Sequence, residues 1–205
     1  MANPANIQPV SLTTYMQQIQ QRGQMQKQNW NALRWLAKEA PKLRDPLLKG
    51  GNIMRGMPEQ LVARPTVGRL YLFFYDPKWK LKLPYFDRYP CVFPLSIDSG
   101  GMLGLNMHYL DYYSRAMLME QLRLLANNAQ VPENRKLNIA YDILTQSAAR
   151  YKGFKACIKR YLWGHVRSRF LRVPYDQWTM TIMLPLAQFE KKSGVHIWRE
   201  SRKKV

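Results

Sequence analysis

Between Asp142 and Asp176 the chain carries no acidic side chain, while Arg150, Lys152, Lys155, Lys159, Arg160, Arg167, Arg169 and Arg172 supply cations at close intervals around Trp163. Ammonium and guanidinium groups in such a row attract polyanions and make charge-assisted hydrogen bonds to their oxygens. An indole among them adds a flat face on which a base or another ring can stack. A phosphate backbone and an acidic protein surface both suit that combination. An ordinary solvated helix usually mixes its signs, because Glu–Lys neighbours stabilise it. A solvated helix face is the plain alternative, and the missing acid weighs against it.

Catalytic patterns are scarce. His108, His165 and His196 fall on three separate predicted elements, without the spacing of a zinc site. His165 reads as a packed core residue. The turn Gly100-Gly101-Met102-Leu103-Gly104 lacks the Gly-Lys-Ser/Thr of a phosphate loop, and no Gly-x-Ser-x-Gly is present. One pattern could hold a metal: Asp176 with Glu190-Lys191-Lys192 has the loose form Asp…Glu-x-Lys, in which two carboxylates bind Mg²⁺ and the lysine orients a water. Here the upstream part is Pro174-Tyr175-Asp176, which departs from that form. No catalytic, metal or cofactor residue is therefore assigned, and a metal-dependent nuclease remains the minor alternative to a non-enzymatic protein.

The whole chain supports a binding role. Its 205 residues suffice for one sizeable core, or a core with an arm. A net charge of +19 favours polyanionic partners. A hydrophobic fraction of 46% marks a folding sequence rather than a disordered basic tail. Cys91 and Cys157 form no Cys-x-x-Cys pair and fit a reducing compartment. No secretory signal and no membrane-spanning window is evident, and no small-molecule substrate is implied.

The elements that must position the cations follow from periodicity. The spacing of Phe154, Cys157, Ile158, Tyr161, Leu162 and His165 predicts a helix over 154–170 with one apolar side. Lys152, Lys155, Lys159, Arg160, Trp163 and Arg167 would lie on its other side. Two helices precede it, over 111–127 and from Pro132 through Ala148. Residues 70–75 read as a buried strand. Trp79, Leu81 and Leu83 alternate with Lys78, Lys80 and Lys82, predicting a second, half-exposed strand with the apolar residues inward. Prolines 84, 90 and 94 demote 85–96 to an edge strand at best, and 102–108 is a short strand or an irregular return. Residues 173–184 show a strand pattern, 185–192 one or two helical turns, and Ile197–Trp198 a last short strand. At the other end, Ser11 caps a short helix, a second covers 26–40, and a Pro/Gly-rich basic linker runs over 41–65. The reading is α+β: a small antiparallel sheet over about 69–108 packed with a three-helix layer over about 111–170, the core domain 66–205 being preceded by a basic arm 1–65.

Several strings resemble one family. They are Leu70-Tyr-Leu-Phe-Phe-Tyr-Asp-Pro-Lys, Leu83-Pro-Tyr-Phe-Asp-Arg-Tyr-Pro-Cys-Val-Phe-Pro-Leu, Gly101-Met-Leu-Gly-Leu-Asn-Met-His-Tyr-Leu, Tyr151-Lys-Gly-Phe-Lys-Ala-Cys-Ile-Lys-Arg-Tyr-Leu and Val166-Arg-Ser-Arg-Phe. Together they resemble the DNA end protector proteins, head-completion virion proteins of T-even-like and marine tailed phages. The resemblance covers about 69–192 and leaves 1–65 outside. It implies a virion structural protein, assembled in the bacterial host cytoplasm, that meets double-stranded DNA at its backbone or end, or other virion proteins, without an active-site motif. The alternative it leaves open is a tail or baseplate component whose cations face acidic subunits.

Overall fold

The computed structural model describes residues 51, 54–55, 57–127, 130–150 and 152–203. The helices expected over 11–19 and 26–40, the linker up to residue 50, and the side chains of Arg150 and Lys152 lie outside the described residues. In chain order the strands are β1 (Leu61–Val62), β2 (Leu70–Leu72), β3 (Phe86–Asp87), β4 (Cys91–Asp98), β5 (Gly101–Asn106), β6 (Ile158–Leu162), β7 (Phe170–Val173) and β8 (Phe189–Glu190). The helices are α1 (Tyr112–Asn127), α2 (Glu133–Arg150), α3 (Lys152–Lys155), α4 (Trp178–Met183) and α5 (Gly194–Lys203). Six strands form one sheet in the order β1-β7-β2-β4-β5-β6, each neighbour pair antiparallel. β3 and β8 form a separate antiparallel pair.

Alternation along the strands divides the sheet into two apolar faces. Leu70, Leu72, Cys91, Phe93, Leu105, Leu171 and Val173 enter the main core with α1, α2 and α4. Tyr71, Phe73, Tyr75, Val92, Met102, Tyr161 and Phe170 form a second, largely aromatic cluster on the other face, packed by Val62, Trp163 and Val166. Each fully buried Leu or Phe contributes about 1.5–3 kcal/mol. Met54 and Met57 also lie in the main core, and β1 pairs with β7. At the β5–β6 contact the backbones approach closely: a Cβ on Gly101 would stand 2.1 Å from the Tyr161 carbonyl oxygen.

The α+β class stands, and α1 and α2 fall where their periodicity places them, but six local expectations need correction. Residues 154–170 are not a helix: α3 ends at Lys155, the chain turns, and β6, a 3₁₀ turn at Trp163–His165 and β7 follow. β6 is apolar toward both faces, with Ile158 against the main core and Tyr161 in the aromatic cluster. Such a strand imitates the i, i+3, i+4 spacing of a helix. The strand expected over 79–83 is a succession of turns, with Trp79 55% and Leu81 88% exposed. β4 is central, between β2 and β5, and a register shift between Pro94 and Ser96 accommodates the proline. Residues 178–183 form helix α4, buried on every side, Thr179 and Thr181 included; a helix without a polar face has no amphipathic signature. Phe189–Glu190 is a strand, and Ile197 and Trp198 lie in helix α5.

A buried polar hub joins these layers. Asp87 accepts from His108 Nδ1 at 2.6 Å and Asn106 Nδ2 at 3.3 Å, and Asn106 Nδ2 also donates to the Tyr161 hydroxyl at 3.0 Å. The other Asp87 oxygen accepts the backbone N–H groups of Tyr89 and Gln188. Arg115, 1% exposed, donates to the main-chain oxygens of Leu110 at 2.9 Å, Ile182 at 2.8 Å and His108 at 3.1 Å. Its guanidinium lies 4.6 Å from the Tyr112 ring centroid and 5.7 Å from that of Trp198.

Arg115→Ala would leave three interior carbonyls short of a donor and remove the packing of the guanidinium. A loss of about 3–5 kcal/mol is expected in urea unfolding, since each buried polar group left unsatisfied costs about 1–3 kcal/mol. Lys80→Ala, which removes one partner of an exposed pair with Asp76, should stay within about 0.5 kcal/mol. Similar small losses for both would mean that Arg115 does not organise the core.

Candidate nucleic-acid interface

The cation-rich segment crosses the fold as strand, turn and strand. Its 3₁₀ turn is fastened to the stretch after β2: Asp76 N–H donates to the His165 carbonyl at 3.0 Å, Arg167 N–H to the Phe74 carbonyl at 2.9 Å, and Tyr75 bridges Val166. Ser168 Oγ accepts the Phe74 N–H at 2.8 Å, and the Tyr75 hydroxyl accepts the Leu162 N–H at 3.3 Å. His165 is half-buried at the margin rather than in the core, its Nδ1 donating to the Asp76 carbonyl at 2.9 Å.

The predicted site residues divide by what holds them. Arg160 makes a two-pronged pair with Asp98 at 2.6 and 2.7 Å. Trp163 Nε1 donates to the Asp98 carbonyl at 2.9 Å, and its ring meets Phe170 edge to face. Arg169 donates to the Leu61 carbonyl and Arg172 to Gln60 Oε1 at 3.4 Å, so both also fasten the β1 edge. Lys159 Nζ lies 4.3 Å from the Tyr109 ring centroid. Arg167 and Lys155 are exposed. The structure thus brings Arg160, Trp163 and Arg167 together around one turn. Arg150 and Lys152 belong to α2 and α3, outside the described side chains.

Two cavities adjoin that turn. One, of about 530 Å³, is lined by Arg64, Ile97, Asp98, Trp163, Val166 and Phe170 among others. The other, of about 390 Å³, lies between 75–87 and β6, with Trp79, Tyr85, Tyr109, Lys159 and Tyr161 in its walls. Sequence reasoning missed both Arg64 and the 77–83 loop as parts of this surface. The loop's signals were present: an acid-free Lys-Trp-Lys-Leu-Lys run bracketed by Pro77 and Pro84. Its alternation imitated a strand.

The acids beside the turn are paired with cations. The hydrogen bond from Lys80, with the charges of Lys80, Arg167 and His165 adding to it, holds the Asp76 carboxyl below its ordinary range. Arg160 and then the Gly100 N–H do the same for Asp98. Asp98 also caps its turn, accepting the Gly100 and Gly101 N–H groups at 2.8 and 3.0 Å. Glu190 pairs with Arg88 at 3.3 Å, and Asp176 sits on an exposed 3₁₀ turn. Among the described residues no group of three or more His, Cys, Asp or Glu is arranged to hold a metal ion.

The family model for the phage T4 terminal DNA protecting protein matches residues 46–202. The chain belongs to that family, and the match reaches further toward the N-terminus than the resembling strings do. No curated protein and no solved structure matches.

Asp98→Ala should free Arg160 and uncap the 98–101 turn, seen as faster amide exchange at Gly100 and Gly101. Acid should act the same way on the native chain. The folded-state pKa of Asp98 is depressed, so its contribution is present above the unfolded carboxyl pKa and is lost as pH falls through the folded value. Exchange rates at those two amides, corrected for intrinsic pH dependence, that do not change in the variant or in acid would show that the pair does not hold the turn.

Proposed function

We propose that this member of the terminal DNA protecting family is a non-enzymatic virion protein that binds and caps the end of the packaged duplex DNA. The observation that carries this reading is the family match over residues 46–202, most of the chain, which includes the whole cation-rich segment. The phosphate backbone is the partner. Arg167, Lys155 and Lys159 supply charge toward it, Arg160 and Trp163 shape the surface around the 3₁₀ turn, and Arg169 and Arg172 add cations along β7. Arg150 and Lys152 extend the same run of sequence. Among the described residues no element of the surface has the form of a base-reading motif, so contacts go to phosphate and carry no sequence preference. The protein acts inside the virion, after assembly in the host cytoplasm, beside other virion proteins.

Protection is the property to measure. A linear duplex saturated with the protein should resist a processive exonuclease, and Arg167→Gln should weaken duplex binding and reduce the log–log salt slope by about 0.9. Arg160→Gln should change binding much less, because Asp98 already neutralises that guanidinium. Rapid digestion of the saturated duplex, or binding insensitive to salt, would overturn the reading in favour of a tail component facing acidic subunits.

A further inference from the structure

The 77–83 loop presents apolar side chains to solvent on a braced scaffold. Leu81 is 88% and Trp79 55% exposed. The loop's own backbone closes on itself, with the Lys82 and Leu83 N–H groups donating to the Trp79 carbonyl at 2.9 and 2.8 Å. A side chain more than a hundred residues away braces it from below: Lys191 Nζ donates to the carbonyls of Lys80, Leu81 and Leu83 at 2.7, 3.0 and 2.7 Å. Lys191 follows β8 directly and takes a left-handed backbone, φ 72, a conformation uncommon for a residue with a side chain. Lys80 pairs with Asp76 at 3.0 Å and fixes the near side. The remaining cations of the loop lie over the indole, with Lys78 and Lys82 Nζ at 5.2 and 5.1 Å from its ring centroid.

Leu81 gains little from the fold while it stands in water, and Trp79 keeps more than half of its surface there, whereas the brace beneath them orders the loop before any partner arrives. A partner matched to this tip has a flat apolar face bordered by negative charge. A duplex terminus has that form: the last base pair exposes a π-face, and phosphates border it on both strands. The interior of a duplex offers the phosphates without the face.

We propose that the 77–83 loop recognises the DNA end, Trp79 and Leu81 packing on the terminal base pair while Lys78 and Lys82 leave the indole for the flanking phosphates. The proposal rests on the DNA-end reading above and adds to it the element that distinguishes an end from internal duplex. Apolar and aromatic side chains that pack on unstacked base steps are familiar in other DNA-binding proteins.

The test compares a short blunt duplex with the same sequence closed by hairpin loops at both ends, using the full chain. The native protein should favour the open duplex by about ten-fold, the scale of one aromatic–base stack. Trp79→Ala combined with Leu81→Ser should abolish that preference while closed-duplex affinity is kept and Tm falls only slightly, since Leu81 is exposed and Trp79 largely so. Lys191→Met, which removes the brace but neither tip, should reduce the preference as well. 2-Aminopurine at the terminal position should be quenched by the native protein and not by the double variant. A double variant that keeps the preference, or that loses affinity equally for both duplexes, overturns the proposal and leaves end protection standing. A native protein with no preference overturns the end-capping reading and the proposal with it.

Discussion

The fold is built around a buried cation and a buried carboxylate that must both be satisfied away from water. An unpaired charge in the interior costs several kcal/mol, so the positions of their partners are not free. Arg115 finds three main-chain oxygens, drawn from the segment around His108, from Leu110 and from the end of α4. Asp87 finds His108, Asn106 and two backbone N–H groups. His108 belongs to both sets, and its carbonyl also accepts Trp198 Nε1 at 2.8 Å. Sheet, α1, α4, α5 and the β3–β8 pair therefore meet at one point, where apolar burial alone would tolerate sliding.

The proposed DNA-binding surface inherits its geometry from that point. Tyr161 is held through its hydroxyl by Asn106, which fixes the middle of β6 and with it the orientation of Lys159 and Arg160. Asp87 pins the Gln188 backbone just before β8, and Lys191 leaves β8 toward the 77–83 loop. The Trp163–His165 turn is tied to 74–76 by backbone bonds at 2.9 and 3.0 Å. A rigid interior thus supports a surface on which several cations are already occupied by protein oxygens. The formal charge of +19 overstates what is available to a polyanion at any one place, and the distinction between Arg160 and Arg167 is the clearest instance.

Where one face of a helix is buried and the other wet, its sequence declared it: α1 and α2 have helical spacing. Where burial was two-sided, periodicity misled at β6 and α4, although β2, buried on both faces, read correctly as a strand. β6 contacts both apolar clusters and resembled a helix, and α4, buried all round, resembled a strand through the alternation of Trp178, Met180 and Ile182 with threonines. The 79–83 run failed for a different reason, since its closure depends on Lys191, a partner remote in sequence. The strings Leu83-Pro-Tyr-Phe-Asp and Gly104-Leu-Asn-Met-His-Tyr-Leu were visible as family marks, but their meaning was not. They supply Asp87, Asn106 and His108, the hub of the core. The cation row itself was legible in composition. Its division into occupied and available members required the acceptors at Asp98, Leu61 and Gln60, which only the tertiary structure supplies.

The measurement closest to the central claim is the position of this chain in the intact virion, read from asymmetric reconstruction at the packaged DNA terminus. The account predicts density for the chain in contact with the last turn of duplex, with the Trp163–Arg167 side of the molecule toward the DNA. Density confined to the tail, with that side against acidic subunits and no DNA within reach, would contradict it.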